Sequence, residues 1–190
     1  DLVIQDETQH IPGPDTENLF IKCSSALPLD RTIPLIKAFS MAMNYLAPGV
    51  FAEFGTYRGE TAKELIRLAW TCGIERPFHL FDTFTGLPDP HNADLGPMPL
   101  EQWPHYEQYS ASERAVRKVL FEWEEGTHYF IHAGLISDTG PQFNDCLSFA
   151  HIDCDLYEGT RDALEVCDRV MSAKGVIVVD DYETQWTGVT

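Results

Sequence analysis

The sequence predicts a doubly wound α/β domain with a parallel sheet. Three observations predict it. Short apolar runs of strand length alternate with segments of helical periodicity from about residue 50 onward. Glycine or acidic residues stand where those runs stop, and no internal repeat suggests a solenoid or propeller.

Residues 1–29 are polar and punctuated by Pro12, Gly13, Pro14 and Pro28, so they read as a loosely structured arm. Asp30 is placed to cap a helix in which Ile33, Ile36, Phe39, Met43 and Leu46 recur at helical spacing, before Pro48-Gly49 ends it. Residues 50–54 form a first apolar strand, followed by a glycine turn and a helix over residues 61–71. Residues 78–82 form a second strand. The stretch 83–110 holds Pro88, Pro90, Pro97, Pro99 and Pro104 and reads as a long excursion, of the kind usually tied to function. A charged amphipathic helix spans 112–125 and a third strand 129–133. Residues 147–152 make a fourth strand, a helix covers 160–172, and residues 176–179 make a fifth strand. In such a sheet crossovers are right-handed, and ligands sit at the carboxyl ends of the strands, at the point where strand order reverses.

At 190 residues the chain supports one domain with a sizeable core, and 44% apolar residues with seven tyrosines and eleven phenylalanines fit a globular protein. A net charge of −17 excludes a nucleic-acid binder and a binder of anionic membranes, both of which need a basic face. No run approaches transmembrane length, and the start lacks the order of a signal peptide. The five cysteines are scattered, odd in number and without a C-x-x-C pair, so they read as free thiols of a reducing, cytoplasmic compartment.

Candidate chemistry lies at the strand ends. The first strand gives Glu53-Phe54-Gly55-Thr56-Tyr57-Arg58-Gly59, an acid followed by G-x-x-x-G rather than the G-x-G-x-x-G of dinucleotide enzymes. The acid would repel a phosphate and attract an ammonium or sulfonium, while the helix start near Thr61 can receive a carboxylate. That logic favours S-adenosylmethionine over NAD or ATP. Asp82, at the end of the second strand, has the separation expected of a ribose-binding acid, or else caps its own turn. The fourth strand ends His151-Ile152-Asp153-Cys154-Asp155 and the fifth ends Asp180-Asp181. Asp153 and Asp155 share a face if the extended conformation persists. Four carboxylates brought together would repel, and a hard cation such as Mg²⁺ relieves that repulsion. The bland alternative has one or two acids capping a helix and the others in solvent. Cys154 is too soft for such a site and is expected to point into the core. His132 and His151 read as structural residues, Trp70 and Trp123 as packing, and Trp103 as packing or a wall of the substrate site.

Together, Phe51 to Gly59, Phe81-Asp82-Thr83-Phe84-Thr85-Gly86-Leu87-Pro88, His151 to Tyr157 and Val179-Asp180-Asp181-Tyr182 resemble the macrocin O-methyltransferase (TylF-like) family, from about Asp30 to Gly188. The resemblance implies a class I methyltransferase fold and methylation of sugar hydroxyls on natural products. It implies that Glu53, Gly55, Tyr57 and Gly59 border the methionine end of S-adenosylmethionine, with Asp82 at the ribose. It further implies Mg²⁺ on Asp153, Asp180 and Asp181, with Asp155 as general base. Some members use a histidine three residues after the first metal aspartate, where this chain has Leu156. Residues 1–29 then correspond to an arm or lid, 30–190 to the methyltransferase domain, and 84–127 to the variable acceptor-side excursion and helix.

The fold as implied continues past its fifth strand with a helix and a hairpin, whereas the sequence ends at Thr190, so the last strands are expected to be missing. Residues 176–179 would then form an open apolar edge, and a truncated chain or a homo-oligomeric partner covering that edge is expected. The expected substrate partner is a small-molecule hydroxyl acceptor, a glycoside. Two other readings compete: a methyltransferase-fold module without catalysis, and a haloacid-dehalogenase-like phosphatase. The latter wants an intervening lysine and a longer separation between its acidic motifs, and leaves Glu53-x-Gly55 without a purpose.

Overall fold

A computed structural model describes residues 19–22, 28–45, 47–95, 109–182 and 187–189. Its centre is one six-stranded sheet, parallel throughout. The elements run β1 (Leu19–Lys22), α1 (Pro28–Asn44), β2 (Val50–Phe54), α2 (Glu60–Thr71), β3 (Phe78–Asp82), α3 (Asn92–Leu95), α4 (Glu113–Val119), β4 (Tyr129–Ala133), α5 (Ile136–Thr139), β5 (Leu147–Ile152), α6 (Tyr157–Val170) and β6 (Met171–Val179). The strand order is β1-β6-β5-β2-β3-β4. Order reverses between β2 and β5, so the carboxyl ends of those two neighbours flank the crevice where ligands bind in such sheets.

Alternation along each strand feeds two cores, one on each face. Phe51, Phe78, Leu80, Phe149 and Val178 pack against Leu35, Phe39 and Met43 of α1 and Leu65 and Ile66 of α2. Phe39 is the hub, with ring centroids 4.9 Å from Phe51, 5.7 Å from Phe78 and 4.8 Å from Phe149. On the other face Phe54, Phe81, Ala150, Ile152 and Ile177 pack against Ile136 of α5 and Ala163, Val166 and Cys167 of α6. Helices therefore cover both faces, as the alternation of elements predicts.

β2 to β5 have the predicted limits, whereas β6 starts earlier, at Met171. Three expectations need correction. The arm is not loose throughout: Leu19–Lys22 forms β1 and pairs in parallel with β6, from Leu19 opposite Val176 to Lys22 opposite Val179. The open edge inferred for residues 176–179 therefore does not exist, and no partner strand is needed there. The first helix begins at Pro28 rather than after an Asp30 cap, and ends at Asn44. Its buried stripe is Leu35, Ala38, Phe39, Ala42 and Met43, while Ile33 and Ile36 are exposed. The charged helix is shorter than predicted, stopping at Val119 after a Ser112 cap that accepts from the Ala115 N–H.

Trp70 and Trp123 pack on each other with ring centroids 5.9 Å apart. Cys72, Cys146, Cys154 and Cys167 are free thiols, and Cys154 packs toward the second core as expected. Trp103, Leu46, Cys23, Pro97, Pro99 and Pro104 lie outside the described residues, as do residues 1–18 and 23–27 of the arm. Among the described residues no helix is long and apolar enough to cross a membrane.

Candidate active site

Parallel strands separated by helices bring all their carboxyl ends to one edge of the sheet, and the predicted acids meet there. Sheet register sets Glu53 of β2 beside His151 of β5 on the α1 face. The two side chains are fully buried, and His151 Nδ1 lies 3.1 Å from Glu53 Oε1. Burial alone would lower the His151 pKa, but the Glu53 bond and the charges of Asp153, Glu53 and Asp180 outweigh it and raise it to about 9. The bond to Glu53 fits the structural reading of His151. Glu53 itself is shifted upward, by burial first, with His151 pulling the other way. Among the described residues its second oxygen, Oε2, and the Thr56 hydroxyl are buried without a hydrogen bond of good geometry, although Thr56 lies close enough to Glu53 to oppose the upward shift. A buried carboxylate oxygen without a donor is costly unless a cationic ligand supplies one.

After Phe54 the chain turns sharply. Gly55 adopts φ +87°, and a Cβ there would fall 1.9 Å from the Asp153 carbonyl oxygen. Glycine thus permits the β2 turn to touch the end of β5, and the Asp153 N–H donates to Phe54 O at 2.8 Å. Tyr57 also has positive φ, and Gly59 in the same region is the N-cap of α2, where no side chain caps the helix. Thr61 lies half-buried in the first turn of α2. The Asp82 carboxylate holds this turn in place: the Tyr57 N–H donates to Oδ2 and the Phe84 N–H to Oδ1, both at 2.7 Å. Burial raises the Asp82 pKa while these donors oppose the shift. The Thr83 hydroxyl adds a longer contact to Oδ1 at 3.5 Å.

Asp153, Asp155 and Asp181 can bring one oxygen each within 4.8 Å of one another, and Asp153 and Asp180 make a second such group with His151. The extended conformation does not persist through Asp155, whose φ of +60° turns it, yet the turn still leaves it beside Asp153. Asp181 has φ +58°. Of the non-glycine residues with positive φ among those described, Tyr57, Phe84, Asp155 and Asp181 follow the ends of β2, β3, β5 and β6, and Lys174 lies within β6. Strained backbone of this kind clusters where side chains must be aimed. Burial and mutual repulsion hold Asp153 and Asp155 well above the usual carboxylate range; Asp181 is also raised, chiefly by burial. The close approach of Asp155 and Asp181 raises the pKa of the first and lowers that of the second. Glu53 engages one nitrogen of the His151 ring, and the other donors gathered here are carboxylate oxygens. That is the set a hard dication prefers.

Two residues at this edge have no counterpart in the sequence reading. Arg31, in the first turn of α1, donates from Nε to Asp180 Oδ1 at 3.0 Å and pairs with Asp181 Oδ1 through Nη2. Tyr109 returns from the excursion, its ring 6.3 Å from that of Tyr57, and its pKa is raised by burial and then by the charges of Asp155 and Asp181. It packs with Leu87, Leu156, Val179 and Val189, an apolar wall next to the acids.

A doubly wound parallel sheet with its crevice between β2 and β5 is a Rossmann-like fold of the class I methyltransferase type. The sequence profile of the macrocin-O-methyltransferase (TylF) family matches residues 30–189. The chain belongs to that family, which is a family of O-methyltransferases. Among solved structures it is similar to the O-methyltransferase NovP, with a TM-score of 0.73 at 22% identity over 84% of this chain and 67% of that one. It is also similar to CalS11, a calicheamicin methyltransferase, with a TM-score of 0.62 at 24% identity over 86% of this chain and 72% of that one. A second, apo structure of CalS11, described as a TDP-rhamnose 3'-O-methyltransferase, gives a TM-score of 0.54. At these identities the likeness speaks for the fold. No curated protein matches the sequence.

Proposed function

We propose that the chain is a Mg²⁺-dependent O-methyltransferase that moves a methyl group from S-adenosylmethionine to a sugar hydroxyl of a natural product, in the cytoplasm. The observation that carries this reading is the contact between Gly55 and Asp153, because it joins a turn suited to the cofactor to a cluster suited to a dication. The sugar acceptor rests on the family and on the named acceptor of CalS11.

In this reading Glu53 Oε2 receives the cofactor's ammonium, a cationic donor for a buried oxygen that has no hydrogen bond of good geometry among the described residues. The backbone of Gly55, Tyr57 and Gly59 lies along the methionine end, and the start of α2 near Thr61 faces its carboxylate. Asp82 accepts from the ribose hydroxyls. Asp153, Asp180 and Asp181 hold the metal, and Asp155 takes the acceptor's proton. S-adenosylmethionine supplies a sulfonium methyl and Mg²⁺ polarises an alcohol too weakly acidic to react alone. Orientation by the strand ends supplies much of the remaining acceleration. Residues 30–190 form the methyltransferase domain, and the 84–127 segment covers the acceptor side, where Tyr109 already faces Tyr57.

The test follows methyl transfer from labelled S-adenosylmethionine to nucleotide-sugar and glycoside acceptors, with Mg²⁺ and with EDTA. Turnover that Mg²⁺ stimulates and that Asp153→Ala abolishes is expected. Cofactor binding without turnover on any hydroxyl acceptor would favour a non-catalytic module instead.

A further inference from the structure

The acids at the ends of β5 and β6 meet Arg31 of α1, a cation that the catalytic reading does not use. Asp180 and Asp181 are adjacent in sequence and their side chains are only 9% and 6% exposed, whereas that of Arg31 is 33% exposed. The guanidinium bridges the pair, one nitrogen to each carboxylate. Asp180 Oδ1 is doubly engaged, since it also accepts the Asp181 N–H at 3.0 Å. The other basic group beside the cluster, His151, is bonded through Nδ1 to Glu53.

We propose that Arg31 is the built-in counter-cation of Asp180 and Asp181, holding the two carboxylates in place until a divalent cation displaces it. The inference rests on the metal reading above. A dication bound by the same carboxylates lies within a few ångströms of the guanidinium and is repelled by it. Two oxygens that the metal could use are taken by Arg31. The guanidinium has a route out, because a third of its side chain already faces solvent. Arg31 is thus a positioning residue that lets the acids stay together without metal and costs affinity when metal arrives.

The placement extends the consequence to the N-terminal segment. β1 pairs with β6 up to Lys22 opposite Val179, the residue before Asp180, and α1 begins six residues after Lys22 with Arg31 in its first turn. Metal entry therefore loosens the tie between the site and the first turn of α1, on the side from which the arm arrives.

The experiment compares the wild-type chain with Arg31→Gln and Arg31→Lys. Mn²⁺ is titrated into each and followed by electron paramagnetic resonance, and melting is recorded in EDTA and in saturating Mg²⁺. Arg31→Gln is expected to melt lower in EDTA, to bind Mn²⁺ about tenfold more tightly because the competing charge is gone, and to regain wild-type melting in Mg²⁺. Arg31→Lys, which keeps the charge without the fork, is expected to lie between. A purely structural role lowers melting without tightening Mn²⁺, so unchanged or weaker binding by Arg31→Gln overturns the proposal while leaving the metal site standing. If neither the wild type nor Arg31→Gln binds Mn²⁺, the metal reading itself falls and this inference with it. Binding by Arg31→Gln alone supports both.

Discussion

Gly55→Ala isolates the contact on which the site depends, and Gly73→Ala is its control. Both glycines have positive φ, +87° at Gly55 and +73° at Gly73, so each substitution forces an L side chain into left-handed backbone at a cost of about 1–2 kcal/mol. They differ in surroundings. Nothing lies within 4 Å of a Cβ at Gly73, whereas a Cβ at Gly55 meets the Asp153 carbonyl oxygen at 1.9 Å and its carbon at 2.6 Å. That neighbour is backbone at the end of a central strand and cannot swing aside, so overpacking adds about 1–3 kcal/mol. Urea unfolding should therefore place Gly73→Ala about 1–2 kcal/mol below wild type and Gly55→Ala about 2–5 kcal/mol below. Calorimetry with S-adenosylhomocysteine should show affinity lost by Gly55→Ala and kept by Gly73→Ala. Equal destabilisation by the two, or unchanged cofactor affinity in Gly55→Ala, would refute the argument that this close approach builds the site.

Phe39→Ala removes the ring that three others surround and should cost about 3–5 kcal/mol in urea unfolding. Asp94 is buried in α3 and accepts the N–H of Tyr157, at the start of α6, and of His91, both at 2.8 Å; Asp94→Ala strands those donors and should cost about 1–3 kcal/mol. The same change should raise the acceptor KM more than it weakens S-adenosylhomocysteine binding, because it frees the excursion from the helix that follows Asp155. Burial, and next the neighbouring His132, lower the His79 pKa from 6.5 to about 4. The unfolded chain then binds the extra proton first, so the stability tied to a neutral His79 is complete above pH 6.5 and is lost as pH falls toward 4. That loss is no more than about 3 kcal/mol. Urea midpoints at pH 7.5 and pH 5 should therefore differ less for His79→Gln than for wild type.

The central strands were legible because each is a short apolar run closed by a glycine or an acid, and parallel βα units bring such ends to one edge. The gathering of Asp153, Asp155, Asp180 and Asp181 was legible for the same reason. β1 was not. Its four residues stand in a polar, proline-punctuated stretch, and only pairing with β6, more than 150 positions away, makes them a strand. Arg31 was hidden by the same omission: with β1 in the sheet, a helix that follows it must start at the carboxyl edge, where the acids are. The buried face of α1 was misjudged because Ile33 and Ile36 outweigh alanines in a hydrophobic pattern. The packed stripe is built on Ala38 and Ala42, whose small side chains let the helix approach the sheet. Glu53 was read as a ligand residue. The register with His151 that buries it cannot be seen in either segment alone.

The most direct test of the central claim, that a cofactor turn and a separate carboxylate cluster form one methyl-transfer site, is a calorimetric titration of S-adenosylhomocysteine. It is run on the wild type and Asp153→Ala, each with Mg²⁺ and with EDTA. The account predicts one-to-one binding of similar affinity in all four titrations, because Glu53, the Gly55–Gly59 turn and Asp82 hold the cofactor without the metal. Absence of heat with the wild type would contradict cofactor binding, and loss of affinity in Asp153→Ala alone would contradict the division of labour between β2 and β5.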